Sequence, residues 1–166
     1  VVADATTLAS LFDGVNSLPG NPEASNGDTI HVEPSATDYA IPTINKQGII
    51  IGNGFLLSGT GSNAGLQANT LTSRVGGFRF GSGSAGTRIT GIEISSGNSF
   101  SVGYSGVINV EFEKCRFVTN PLFAFAANVT YSNITIKKCL LAGINNAVPA
   151  TTTLNNFFFE NNMGFL

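Results

Sequence analysis

The chain has 166 residues, of which 42% are hydrophobic and only 11% charged, and its net charge is −2 at pH 7. This length fits one domain with a sizeable core, and the charged fraction is about half the usual share of roughly 25%. The slight negative charge argues against a broad basic face for nucleic acid, and no apolar run reaches the roughly 18 residues of a membrane span. With 20 glycines, the composition indicates a β-rich chain that turns often.

Residues 1–20 differ from the rest of the chain and predict a short capping helix. Thr6 is a candidate N-cap, and Leu8, Leu11, Phe12 and Val15 follow it at the spacing of one helix face. Glycine and proline between positions 14 and 20 end this pattern. From residue 28 onward the hydrophobic pattern changes to a period of two.

The chain after residue 28 consists of short alternating runs bounded by Gly, Asn, Ser or Pro, which is typical of β-strands. We therefore predict an all-β structure for residues 28–166. The alternating pairs are Ile30 and Val32, Ile49 and Ile51, Phe78 and Phe80, Ile92 and Ile94, Val110 and Phe112, Ile134 and Ile136, and Phe157 and Phe159.

Three of these runs are nearly the same line of sequence: NVEFEKCRF at 109–117, NITIKKCLL at 133–141 and NFFFENNMG at 156–164. Their first residues are 24 and 23 residues apart. A recurrence of roughly 20 to 25 residues with one strand per repeat predicts a solenoid, in which equivalent positions stack about 4.8 Å apart. The chain repeats itself because one coil cannot bury its apolar face without a like coil above and below.

Stacking of these repeats predicts columns of equivalent side chains. Two columns are apolar and inward, a third is an amide column that hydrogen-bonds from coil to coil, and a fourth is an outer column of alternating charge. The four columns are Val110, Ile134 and Phe157; Phe112, Ile136 and Phe159; Asn109, Asn133 and Asn156; and Glu113, Lys137 and Glu160.

Cys115 and Cys139 share one position of successive repeats, and they are either two buried thiols or a disulfide. We favour buried thiols, because parallel side chains suit the geometry of a disulfide poorly.

The stretch NGDTIHVEPSATDYAI at 26–41, followed by NKQGIIIGNG at 45–54, resembles the opening of right-handed parallel β-helix proteins of the pectate-lyase-like superfamily. Ser35 stands where these proteins usually have glycine, and the spacing to Tyr39 is longer. The resemblance implies a single domain, 1–166, with a capping helix within 1–20 and right-handed β-helix coils over 28–166. It implies less about function, because the superfamily includes lyases, hydrolases, phage adhesins and inert surface proteins.

The coils carry few groups that could do chemistry. Polysaccharide hydrolysis needs two carboxylates, and a lyase needs carboxylates for Ca²⁺ together with a base, but all the aspartates lie within residues 4–38. His31 is the single histidine, so a zinc site or a Ser-His-Asp triad has little to build on. We therefore predict no catalytic residue, no metal site and no cofactor.

An alternative interpretation is a module that binds acidic polysaccharide or cleaves it as a lyase. Four cations on adjacent coils would attract a polyanion, although the neighbouring glutamates are expected to neutralise them. Asn128 and Asn133 begin Asn-X-Thr patterns for glycosylation, which arise by chance in a chain rich in Asn and Thr. The candidate glycan face is Glu111, Glu113, Lys114, Arg116, Lys137 and Lys138.

Apolar residues crowd the C-terminal end of the chain, where solenoids normally have a polar capping repeat. An open coil exposes an apolar cross-section and unpaired strand edges, which invite another chain. We therefore predict a non-catalytic structural protein, extracellular or on the cell surface, that associates end to end into a homopolymer; the N-terminal part of a longer β-helical adhesin is the alternative. The predicted assembly contacts are Val1, Val2, Leu8, Leu11, Phe157, Phe159, Met163, Phe165 and Leu166.

Overall fold

The computed structural model describes residues 8, 11, 23–40, 42–54, 71–95, 100–102, 108–119, 122–125, 127–142 and 145–164. The strands in this part of the chain are short and follow one another at close intervals. In chain order they are β1 (Asp28–His31), β2 (Thr43–Ile44), β3 (Gly48–Ile51), β4 (Arg74–Val75), β5 (Phe78–Phe80), β6 (Arg88–Thr90), β7 (Glu93–Ile94), β8 (Phe100–Val102), β9 (Ile108–Glu113), β10 (Arg116–Phe117), β11 (Leu122–Phe125), β12 (Thr130–Lys137), β13 (Leu140–Leu141), β14 (Asn145–Ala147), β15 (Thr153–Glu160) and β16 (Met163–Gly164).

These strands form three parallel sheets that run along the molecule. The first sheet has the order β1-β3-β6-β9-β12-β15, the second β16-β13-β10-β7-β4, and the third β14-β11-β8-β5-β2. The chain visits the sheets in turn, so that β9, β10 and β11 lie in one coil and β12, β13 and β14 in the next. The predicted all-β parallel solenoid is therefore confirmed.

Each coil carries more strands than the sequence pattern predicted. One strand per repeat was expected, but Phe78 and Phe80 lie in the third sheet and Ile94 lies in the second, while each repeated line supplies a strand of the first sheet and one of the second. In β3 the buried isoleucine is Ile50, whereas Ile49 and Ile51 are only half-buried. The short alternating runs of all three sheets look alike in the sequence, so the sequence pattern assigned them to a single series of strands.

The register of the first sheet matches the predicted columns. Ile134 pairs with Val110 below it and with Phe157 above it, and Ile136 pairs with Phe112 and Phe159. The second column extends to the other end of the sheet, because Phe112 follows Ile89, Ile50 and Ile30 in the same register. The core is thus a stack of inward side chains, in which Phe112 lies edge-on to Phe78 and Phe80 with ring centroids 6.1 and 6.0 Å apart.

Asparagines in the left-handed backbone conformation bend the first sheet. Asn109, Asn133 and Asn156 each have φ of 57°, and Gly86, which the register places below Asn109, has φ of 83°. Asparagine tolerates this conformation better than other residues with a side chain, because its short amide hydrogen-bonds locally. The bend recurs in each coil, which explains why every repeated line opens with Asn.

The predicted capping helix lies almost entirely outside the described residues. Of residues 1–20 the structure describes Leu8 and Leu11. Leu8 is fully buried in the core cluster, Leu11 packs against it, and the carbonyl of Leu11 accepts a hydrogen bond from the backbone of Ala24 at 2.9 Å. Leucine side chains from this segment therefore contribute to the chain's own core.

Candidate functional site

The predicted glycan face contains a network of ion pairs on the outer surface of the first sheet. The ammonium nitrogen of Lys137 lies 3.0 Å from a carboxylate oxygen of Glu111 and 3.7 Å from one of Glu113. Lys138 approaches Glu113 at 3.1 Å, and Arg88 approaches Glu111 at 3.5 Å. Of the four cations expected to be neutralised by neighbouring glutamates, Lys137 and Lys138 lie against Glu111 and Glu113.

The titration behaviour of this network follows from the same contacts. The hydrogen bond from Lys138 lowers the pKa of the Glu113 carboxyl, assisted by the charges of Lys137 and Lys114 and opposed by partial desolvation. The hydrogen bond to Glu111 raises the pKa of Lys137. Both shifts favour the charged forms, so the face is a stable salt-bridged surface at neutral pH.

The other two residues of the predicted face, Lys114 and Arg116, differ in position. Lys114 is exposed at the bend after β9 with φ of 52°, and Lys138 takes the same place in the next coil with φ of 54°. Arg116 lies in the second sheet, where its guanidinium donates to Glu93 at 3.2 Å. The six residues therefore do not form one surface, because the left-handed bend at Lys114 separates Arg116 from Glu111 and Glu113.

A second charged column, on the second sheet, was missed in the sequence. Asp38, Arg74, Glu93 and Arg116 alternate in sign, with contacts of 3.2 Å from Asp38 to Arg74, 3.0 Å from Arg74 to Glu93 and 3.2 Å from Glu93 to Arg116. Glu93 is buried between its two arginines, and the Ser95 hydroxyl hydrogen-bonds to Asp38. The unequal intervals between these residues hid the column, because coils of different length place equivalent positions at irregular spacing.

The predicted asparagine column is a hydrogen-bonded ladder. The side-chain amide nitrogen of Asn133 donates to the amide oxygen of Asn109 at 2.9 Å, and that of Asn156 donates to Asn133 at 2.9 Å. Asn133 thus uses both ends of its amide between coils. Asn128, which begins the other glycosylation pattern, is exposed in the turn before β12.

The two cysteines are free and buried, which confirms the favoured interpretation. The backbone N–H of Cys115 donates to the sulfur of Cys139 at 3.4 Å, and the backbone N–H of Cys139 donates to the side-chain oxygen of Asn162 at 2.8 Å. Burial raises the pKa of the Cys115 thiol. Cys139 and Asn162 therefore do the same job in successive coils, which is to accept a hydrogen bond from the coil below.

A shallow depression of about 280 Å³ lies on the outer face of the first sheet. Polar groups from three coils line it: Arg88, Asn109, Glu111, Asn133 and Thr135. The ladder and the ion pairs described above already engage Asn109, Asn133, Arg88 and Glu111. Among the described residues no group of three or more His, Cys, Asp and Glu side chains could hold a metal ion.

The C-terminal end of the described solenoid exposes apolar side chains. Phe159 is 40% exposed although it continues the inward column in which Phe112 and Ile136 are fully buried. Phe158, on the outward face of the same strand, is 43% exposed, and Met163 is 67% exposed. Among the described strands, β15, β16 and β14 each lie at an edge of their sheet, so this end presents strand edges as well as apolar surface.

The predicted assembly contacts have different positions in the structure. Phe157 is half-buried against the core, whereas Phe159 and Met163 are exposed at the end. Leu8 is fully buried inside the chain, so its side chain offers no surface to a partner. Four of the predicted contacts lie outside the described residues: Val1, Val2, Phe165 and Leu166.

The opposite edge of the first sheet is β1. Its outward residues Thr29 and His31 are exposed, as is Asp28, and Ile30 is a half-buried member of the inward column. Asn26, also exposed, uses its side-chain oxygen to accept the backbone N–H of Gln47 in the next coil at 3.2 Å. The two edges of this sheet thus differ in chemistry, one rich in Phe and the other polar.

No protein-family model, curated protein or solved structure matches this chain. No helix among the described residues is long and apolar enough to cross a membrane.

Proposed function

We propose that this chain is a non-catalytic structural subunit, extracellular or on the cell surface, that associates end to end into a fibre. In this proposal the solenoid is a right-handed β-helix of the pectate-lyase-like kind, and residues 1–20 contain a short helix. The partner is another copy of the same chain.

The exposure of Phe159 supports this proposal most directly. Its register places it in the inward column, where Phe112 and Ile136 expose nothing, yet 40% of its own surface meets solvent. A further coil above β15 would remove this surface from water and would also pair the edge of β15. Together, a partly exposed core aromatic and a strand that lies at the edge of its sheet among the described strands favour continuation of the stack by another chain.

The outer face of the first sheet gives little support to a catalytic role. Glu111 and Glu113 are the carboxylates closest to a lyase-like arrangement, and each lies within 3.1 Å of a lysine. A carboxylate whose charge is balanced in this way is a poor ligand for Ca²⁺. We expect no unsaturated product from pectate or alginate with or without Ca²⁺, and release of product that is lost in Glu111→Gln would support the lyase alternative instead.

The depression beside Arg88 favours polysaccharide binding as a second candidate function. Its polar lining could hydrogen-bond sugar hydroxyls, with Arg88 as the exposed cation beside it. Calorimetric titration with oligogalacturonate tests this candidate. Binding that is lost in Arg88→Ala and kept in Arg79→Ala, an exposed arginine on the third sheet, would establish it.

Negative-stain microscopy and light scattering of the purified chain test the main proposal. The unaltered protein should form filaments, and Phe159→Asp should keep it in short soluble species because a carboxylate would have to be buried between coils. Phe158→Asp is the matched control, since Phe158 is equally exposed but points away from the core. Filaments that survive Phe159→Asp, or an unaltered protein that stays monomeric at high concentration, would contradict the proposal.

A further inference from the structure

We propose a specific register for the contact between copies: β15 of one copy pairs with β1 of the next, so that Glu160 lies opposite His31 and Asn156 lies beside Asn26. This inference rests on the proposed end-to-end association and names the surfaces that carry it. Three independent columns of the first sheet point to the same register.

The inward column provides the first argument. It runs Ile30, Ile50, Ile89, Phe112, Ile136 and Phe159 through six strands in register. Both terminal members, Ile30 and Phe159, keep exposed surface, whereas the four between them expose none. If Ile30 of the next copy follows Phe159, each covers the other and the column continues without a break.

The outer charged column provides the second argument. Glu113, Lys137 and Glu160 occupy successive strands and alternate in sign. The register that places Ile30 of the next copy after Phe159 places His31 after Glu160. Both residues are exposed. An imidazole donates an N–H to a carboxylate whether or not it is protonated, so His31 is a suitable next member of this column.

The amide column provides the third argument, through its hydrogen-bond direction. Each asparagine of the ladder donates its amide nitrogen to the coil below, so Asn156 presents its amide oxygen at the open end. Asn26 accepts a hydrogen bond from the coil above with its oxygen, which leaves its amide nitrogen for the coil below. Asn26 lies next to Gly27, which the register places in the asparagine column with φ of 87°. The amide nitrogen of Asn26 in one copy thus meets the amide oxygen of Asn156 in another.

This contact joins two different surfaces, so it propagates rather than closing a pair. It also keeps all strands parallel and repeats the spacing of about 4.8 Å between coils. The same register places Asp28 of the next copy after Phe157, and this carboxylate accepts a hydrogen bond from the backbone N–H of Ser25 in its own chain at 2.8 Å. The partner is therefore selected by chemistry that this chain carries at its two edges, with the apolar pair of Phe159 and Ile30 between polar residues.

A charge-swap experiment on the 166-residue chain tests the register. Glu160→Lys should raise the critical concentration for assembly about fivefold, and His31→Glu should do the same by placing two carboxylates together. The double variant should return the critical concentration close to that of the unaltered protein, because a lysine at 160 would then lie opposite a carboxylate at 31. Arg79→Glu reverses an exposed charge on the third sheet and should have no effect.

The outcomes separate this inference from the proposed function. Recovery in the double variant supports the register, since a variant that merely weakened the last coil would not be rescued by a change at residue 31. Filaments that form equally well in all variants, or a double variant no better than the single ones, would overturn the register and leave end-to-end association standing. Absence of filaments from the unaltered chain would overturn both.

Discussion

Replacement of Ile136 by Ala tests the core register on which the account of the fold depends. Ile136 exposes none of its surface and lies between Phe112 and Phe159 in neighbouring strands. The change removes three carbons, worth about 2.4 kcal/mol at roughly 0.8 kcal/mol each, and leaves a cavity that adds to this loss. Phe159 is 40% exposed and can shift partly into the space, so we expect a total of about 3 kcal/mol.

The assay is unfolding in guanidinium chloride followed by circular dichroism, with the free energy taken from the transition midpoint and slope. Thr135→Ala is the matched control, because Thr135 neighbours Ile136 on β12 but faces outward and is half-exposed. It should change the free energy of unfolding by no more than about 0.5 kcal/mol. An Ile136→Ala effect as small as that of the control would refute the inward register.

Three further changes probe the ladder, the cysteine column and the ion pairs. Asn133→Ala should lower the free energy of unfolding more than Asn133→Gly in the same assay, because both lose the ladder hydrogen bonds but only Ala is strained at φ of 57°; equal losses would contradict this reading. Cys139→Asn should keep the midpoint close to that of the unaltered protein, since Asn162 already does the same job one coil above, whereas Cys139→Leu should lower it; the reverse order would show that the hydrogen bonds of this column are unimportant. Lys138→Ala should raise the pKa of Glu113, followed by NMR titration, because the hydrogen bond that lowers this pKa is lost. The folded-state pKa is lowered, so the stability from Glu113 is present at neutral pH and is lost as the pH falls through that pKa, and this acid-linked loss should shrink in Lys138→Ala.

The sequence predicted the first sheet well because its repeats are nearly regular. Three lines 24 and 23 residues apart placed Ile134 above Val110 and Asn133 above Asn109, as the structure has them. Counting residues was enough to align these positions, because the coils between these lines have almost the same length. The charge pairing of Glu113 with Lys137 followed from the same alignment.

The second and third sheets were harder to predict, for a physical reason. Their described strands are mostly two or three residues long, too short for alternation to distinguish them from turns. The coil from Ile49 to Arg88 is also 39 residues long, compared with 23 from Arg88 to Glu111, so its column positions could not be aligned by counting. The contact of Glu93 with Arg74 and Arg116 became visible only once the register was known.

The rise per subunit in a filament of this protein tests the central claim most directly, and helical reconstruction by electron cryomicroscopy measures it. The described part of the first sheet has six strands, and at about 4.8 Å per coil the account predicts a rise of about 29 Å, with β15 of one copy continuous with β1 of the next. A filament with a markedly different rise, or with copies packed through the lateral faces, would contradict end-to-end stacking of the coils. A protein that remains monomeric at every concentration tested would contradict it as well.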